Sequence, residues 1–142
     1  MALPDKYLKF ANRGWWNDIP ASIRPRYNTY PYLPPHVVNI FNEGTGKSVF
    51  GVPVREVGPW NEDDKYWDAA NGYNPRRLFR DLPLGMPEAS AAYFRNYNGG
   101  KNQFGDKVLN PAGIDLTPYV APQLGLGANQ NAWVYVNYSD LP

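Results

Sequence analysis

Hydrophobic alternation is confined to a few short stretches of this chain, separated by irregular, proline-punctuated segments. The strongest signal is His36-Val-Val-Asn-Ile-Phe-Asn42, a β-branched run. It leads into the turn Glu43-Gly-Thr-Gly-Lys47, and alternation resumes from Ser48 to Val57. This spacing predicts a hairpin. Pro53 is expected at an edge or bulge, because it has no N–H to give to a ladder. A second alternation sets Ala132, Val134, Val136 and Tyr138 against Trp133 and Tyr135, which predicts a closing strand over Asn131 to Tyr138. Gly113-Ile-Asp-Leu-Thr117 reads as a short strand before it.

Helical spacing occurs three times. Asp5 to Trp16 places Tyr7, Leu8, Phe10, Ala11 and Trp15 on one side. Pro87 to Tyr97 has a proline in its first turn, Glu88 at the positive end of its dipole and Asn98-Gly99-Gly100 as a stop. Pro118 to Leu124 is preceded by Thr117 as N-cap and followed by Gly125.

This pattern divides the chain into an N-terminal extended arm, residues 1–35, and a body, residues 36–142, interrupted by a long insertion at about 61–109. The arm is rich in aromatics and broken by Pro4, Pro20, Pro25, Pro31, Pro34 and Pro35. It is suited either to packing on its own body or to docking on a neighbouring subunit. The insertion follows Gly58-Pro59-Trp60-Asn61. It carries acidic Glu62, Asp63, Asp64 and Asp68 threaded with Tyr66 and Trp67, then basic Arg76, Arg77 and Arg80. The acidic stretch lacks EF-hand spacing, so a solvated loop face is expected ahead of a calcium site.

Composition narrows the function classes. A chain of 142 residues suits one core. With 14 Lys and Arg against 13 Asp and Glu, the charge is too balanced for nucleic acid to be the expected partner. No cysteine and a single histidine, His36, exclude disulfides, thiol nucleophiles and His-rich metal sites. No apolar run is long enough for a membrane span, and the first residues lack the layout of a secretory signal. The 15 Pro and 13 Gly exceed the usual share, yet 5 Trp, 11 Tyr and 6 Phe argue against disorder. The expectation is an ordered, loop-rich, mainly β domain. Gly44-Thr-Gly-Lys-Ser48 lacks the spacing and the strand–helix setting of a phosphate loop, and with no other fingerprint no cofactor and no metal are expected.

Four features together carry a resemblance. Val54-Arg-Glu-Val-Gly-Pro-Trp60, Ala112-Gly-Ile-Asp-Leu-Thr-Pro118, a helix ending Leu124-Gly-Leu126 and a terminal Val134-Tyr-Val136 strand resemble the double-psi β-barrel of rare lipoprotein A-like proteins. That group includes septal lytic transglycosylases and is related to the barrel of expansins. The likeness covers roughly residues 36–60 and 110–138. It implies a six-stranded double-psi β-barrel with two short helices, the aromatic arm and the inserted loop being additions. It also implies an extracellular or cell-envelope module that binds a peptidoglycan-like polysaccharide.

At matching positions, Asp115 stands where lytic members hold their general acid and base, a carboxyl group that donates and then accepts a proton. Glu56 occupies the other acidic position, one carbon longer than the family's Asp. The family's histidine, three residues before a Leu-Pro, is replaced by Tyr30 ahead of Leu33-Pro34, and His36 lies on the other side of that pair. Weak or no lytic activity is therefore expected. Trp60, Tyr66, Trp67 and Tyr73 are candidates for a sugar-stacking platform, with Arg55 beside them.

Structural roles compete for the same residues. Asp115 suits a helix cap or crossover, Glu56 an ion pair with Arg55, the aromatics loop packing, and His36 a plain strand position. The alternative function is a structural subunit of an extracellular filament or virion, using the arm and the long loop for contacts between copies.

Overall fold

The structure, a computed structural model, describes residues 1–28, 34–67 and 77–138. The chain begins with a two-residue strand, β1 (Ala2–Leu3), and turns into helix α1 (Lys6–Asn12). Asp5 starts that helix: its carboxylate accepts the N–H groups of Tyr7 at 2.9 Å and Leu8 at 3.3 Å, two donors with no intrahelical partner. The helix is shorter than its apolar spacing predicted, because the chain turns at Gly14, where φ is +72°. Two single 3₁₀ turns, Trp16–Asp18 and Arg24–Arg26, follow.

The predicted hairpin is present. Strand β2 (Val37–Asn42) pairs antiparallel with β3 (Lys47–Pro53), and the register shifts between Val38 and Ile40. Pro53 ends β3, at the edge of the sheet. Strand β4 (Glu56–Val57) then runs parallel to β1, matching Ala2 to Glu56 and Leu3 to Val57. Helix α2 (Glu88–Arg95) ends at Asn96, which takes a left-handed conformation. Helix α3 (Val120–Gln123) is four residues long; Thr117 Oγ1 accepts the Val120 N–H at 3.3 Å. Strand β5 (Tyr135–Asn137) pairs with the free side of β2.

The six-stranded barrel does not form. Among the described residues, five short strands lie in two small sheets, β1-β4 and β3-β2-β5, and no sheet closes. Two segments expected as barrel strands pair little. Within Gly113–Thr117 only Asp115 joins a ladder, as a single bridge to Ala2, with Pro111 and Pro118 on either side. From Asn131 to Trp133 the backbone finds no partner among the described residues, and β5 is three residues long. Alternating side chains had predicted strands here, but alternation reports which faces are apolar and not whether the backbone finds a partner.

The first 27 residues help build the core. Leu3, Leu8, Ile19 and Tyr27 are fully buried together with Val38, Ile40, Val54 and Leu124. β1 lies between β4 and Asp115, and the N–H groups of Arg55 and Gly58 donate to Met1 and Leu3 carbonyls at 3.2 Å each. A second, smaller cluster of Ala89, Ala92 and Val108, with Trp60 against it, gives α2 its own apolar contact.

Candidate functional site

A groove of about 930 Å³ runs between α2, the Asn110–Leu116 segment and the approach to β5. Trp60, Phe94, Trp133 and Tyr135 contribute aromatic surface, and Tyr66 and Tyr138 also line it. Among the described residues, Asp115 is the only carboxylate in the lining, which holds no cationic side chain.

Trp60 is fixed from three directions. Its indole N–H donates to Asn110 Oδ1 at 3.0 Å. Its carbonyl accepts from Asn102 Nδ2 at 3.1 Å. The next residue, Asn61, donates through Nδ2 to Glu88 Oε2 at 2.7 Å and accepts the Gln103 N–H at 2.9 Å. The half-buried indole thus rests on α2 with one edge left in the groove. Trp133, by contrast, is 73% exposed.

Tyr66 and Trp67 serve packing. The Tyr66 hydroxyl donates to the Gly113 carbonyl at 3.1 Å and lies 3.2 Å from the Tyr138 hydroxyl. Burial pushes the Tyr66 phenol well above its ordinary range and the Tyr138 phenol up to about 12. Trp67 stacks on Tyr138, with ring centres 4.9 Å apart and planes 7° from parallel. Tyr73 and Tyr30 lie outside the described residues. Gly113 permits the close passage of this segment: a Cβ there would collide with the Pro87 ring at the start of α2.

Asp115 and Glu56 both lie opposite Ala2, one on each side of β1. Direct opposition across successive strands puts both side chains on one face, with Cα atoms roughly 10 Å apart at the usual strand spacing. Both are exposed. The Met1 amino group feels both carboxylates, Glu56 more strongly, while donating to the Pro53 carbonyl at 3.0 Å; burial nevertheless holds its pKa below the ordinary value. Asp115 opens onto the groove. Glu56 and Arg55 instead line a shallower depression with Lys9, Arg13 and Glu62. The two carboxylates share a face, but only Asp115 lines the groove.

Glu62, Asp63 and Asp64 of the acidic stretch are taken up in ion pairs, while Asp68 and Arg76 lie outside the described residues. Asp63 meets Lys9, and Glu62 meets Arg13 at 3.0 Å. Asp64 is buried and binds Arg77 Nε at 2.9 Å, while its other oxygen accepts the Glu88 N–H at 2.8 Å. The remaining Arg77 nitrogens donate to the carbonyls of Leu82, Pro83 and Met86. Burial pushes the Asp64 carboxyl up, with Arg77 acting against it. Burial also pushes Glu88 up, Asn61 opposing and Asp64 reinforcing. His36 is buried beside Asp5, at 3.7 Å, and edge-on to Tyr27, whose hydroxyl donates to Asp5 at 3.1 Å. This places it in the core behind α1.

Sequence reasoning missed Phe94 and Asn110 as groove residues. Trp133 and Tyr135 carried a signal, since they occupy the side of the final alternation opposite the aliphatic residues.

The matched family spans nearly the whole molecule. A family model described as "Domain of unknown function (DUF8814)" matches residues 1–137, and the chain belongs to that family. No curated protein and no solved structure matches it.

Proposed function

We propose that the chain is a polysaccharide-binding module of the cell envelope or extracellular space, with weak or no lytic activity. The observation that carries this reading is the groove, which indole surface from Trp60 and Trp133 lines together with an exposed carboxylate, Asp115. Sugar rings present apolar C–H faces and hydroxyl edges, so flat aromatics with a few acceptors suit them. The motif likeness at residues 54–60 and 112–118 supports the same ligand class. Binding is favoured over cleavage because Tyr30 stands at the family's histidine position and the one histidine, His36, is buried in the core.

The filament or virion reading needs the N-terminal aromatics to be available for neighbours. Tyr7 and Tyr27 are instead buried in the chain's own core while Trp15 stays exposed, so packing on the body takes up part of that supply, which favours the groove as the functional surface.

Sedimentation with purified bacterial sacculi tests this directly. The wild type is expected in the pellet and Trp60→Ala largely in the supernatant. A wild type that pellets no better than an inert protein of similar size would remove the proposal.

A further inference from the structure

We propose that the chain pairs with a second copy of itself through the outer face of the β3-β2-β5 sheet, sheet packed on sheet about a two-fold axis. This goes beyond the glycan reading and does not depend on it.

The first observation is what that face is made of. On the inner side of the sheet, Val38, Ile40 and Val52 are buried in the core, with Val49 and Val136 packed against it. The alternate residues point the other way, and strand pairing sets them in rows. Ser48, Phe41 and Tyr135 lie opposite one another across the three strands, with Asn39 and Asn137 paired in the next row. Phe50 follows at the register shift beside Asn39. Phe41 is 39% exposed, Tyr135 64% and Phe50 76%. The Phe41 and Tyr135 rings lie 6.3 Å apart, with planes 22° from parallel. None of these side chains carries a charge, and Phe41 and Phe50 do not line the groove.

The second observation is that the edge beside this face is guarded while the face is bare. Among the described residues, β3 has no strand on its outer side. Such an edge invites pairing with another chain. Here Lys47 and Pro53 stand at its two ends. Between them Gly51 takes a φ of +66°, and its N–H donates to Asn39 Oδ1 at 2.9 Å. A charge, a proline and a bulge all discourage edge pairing. The contact that remains is face to face, as in a sandwich of two sheets.

Area favours a second copy as the occupant. At about 200 Å² for each aromatic side chain, these exposures leave roughly 350 Å² of aromatic surface on each copy. Two copies bring roughly 700 Å², which is the apolar share of an interface of about 1,200 Å². That is the lower limit for a specific, reversible pair. A sheet face encloses no small ligand, whereas a second sheet matches its shape. Because the face is uncharged, a copy meets no like charge across it.

Sedimentation velocity over about 5 to 500 µM protein tests this. The wild type is expected to pass from monomer to dimer across that range. Phe50→Lys should weaken association about ten-fold or more, because pairing would bury an ammonium group without a partner. Ser48→Arg removes no packing and should have the same effect. Leu109→Lys, at an exposed apolar position off the sheet, should leave association unchanged. All three positions are exposed, so the variants should melt close to the wild type. A wild type that stays monomeric throughout would overturn the inference. So would a dimer that survives both sheet variants, a dimer lost with Leu109→Lys, or growth past two copies.

Discussion

Replacing Arg77 by Met removes the guanidinium from a site where it serves one carboxylate and three carbonyls. Methionine keeps much of the apolar stem, so the loss is mainly electrostatic. Asp64 would then remain buried with a single donor, the Glu88 N–H. Breaking a buried pair from one side costs about 3–5 kcal/mol. That is a large share of the ~5–15 kcal/mol that holds a domain together. For a chain of this size it lowers the melting temperature by roughly 10 °C.

The sign of the pH dependence follows from Asp64. Its carboxyl lies above the ordinary range because of burial, and Arg77 is what restrains it. Without Arg77 it lies higher still, so the native state holds a proton that the unfolded chain has released. Stability therefore falls as pH rises from the ordinary aspartate range through the raised one. Thermal melts of Arg77→Met at pH 5 and pH 8 should show the larger loss at pH 8. Asp64→Asn added to Arg77→Met should recover part of the stability at pH 8 and little at pH 5. A loss below about 1 kcal/mol, or one independent of pH, would refute the claim that this pair anchors α2 to the loop ahead of it.

Other consequences follow from the same contacts. Glu88→Gln keeps an acceptor for Asn61 and removes a group whose pKa is raised by burial, so the variant's melting temperature should decline less than the wild type's between pH 5 and pH 8. Asp5→Ala removes the cap of α1 and the acceptor of the Tyr27 hydroxyl; urea denaturation should show a loss of about 2 kcal/mol or more. Trp67→Ala deletes the ring stacked on Tyr138 and should cost about 3 kcal/mol of stability. Trp60→Ala should instead show its main effect in sugar binding.

Much of the local structure was legible because its signals are short-range. The β2–β3 hairpin follows from a β-branched run and a glycine-bearing turn, and α2 follows from Pro87, Glu88 and the small residues behind them. Chain closure was not legible. Whether Gly113–Thr117 and Asn131–Tyr138 join a barrel depends on partners far away in sequence, and among the described residues Asp115 finds a single bridge. The acidic run of Glu62, Asp63 and Asp64 looked like a solvated face. Their partners Arg13, Lys9 and Arg77 are dispersed along the sequence, and only folding gathers them. At the site, Trp60 and Asp115 were found from motif positions. The separation of Glu56 from the groove arises because β1 lies between the two carboxylates, a placement that no local pattern encodes.

The central claim is that Trp60, Trp133 and Asp115 form one sugar-binding surface. Mapping of ¹H–¹⁵N shifts during titration with an N-acetylglucosamine oligosaccharide tests it most directly. The expected result is saturable movement of the Trp60 and Trp133 indole signals and of the Ile114–Leu116 amides, with Arg55 and Glu56 still. Movement confined to the depression around Glu56, or none at saturating sugar, would contradict it.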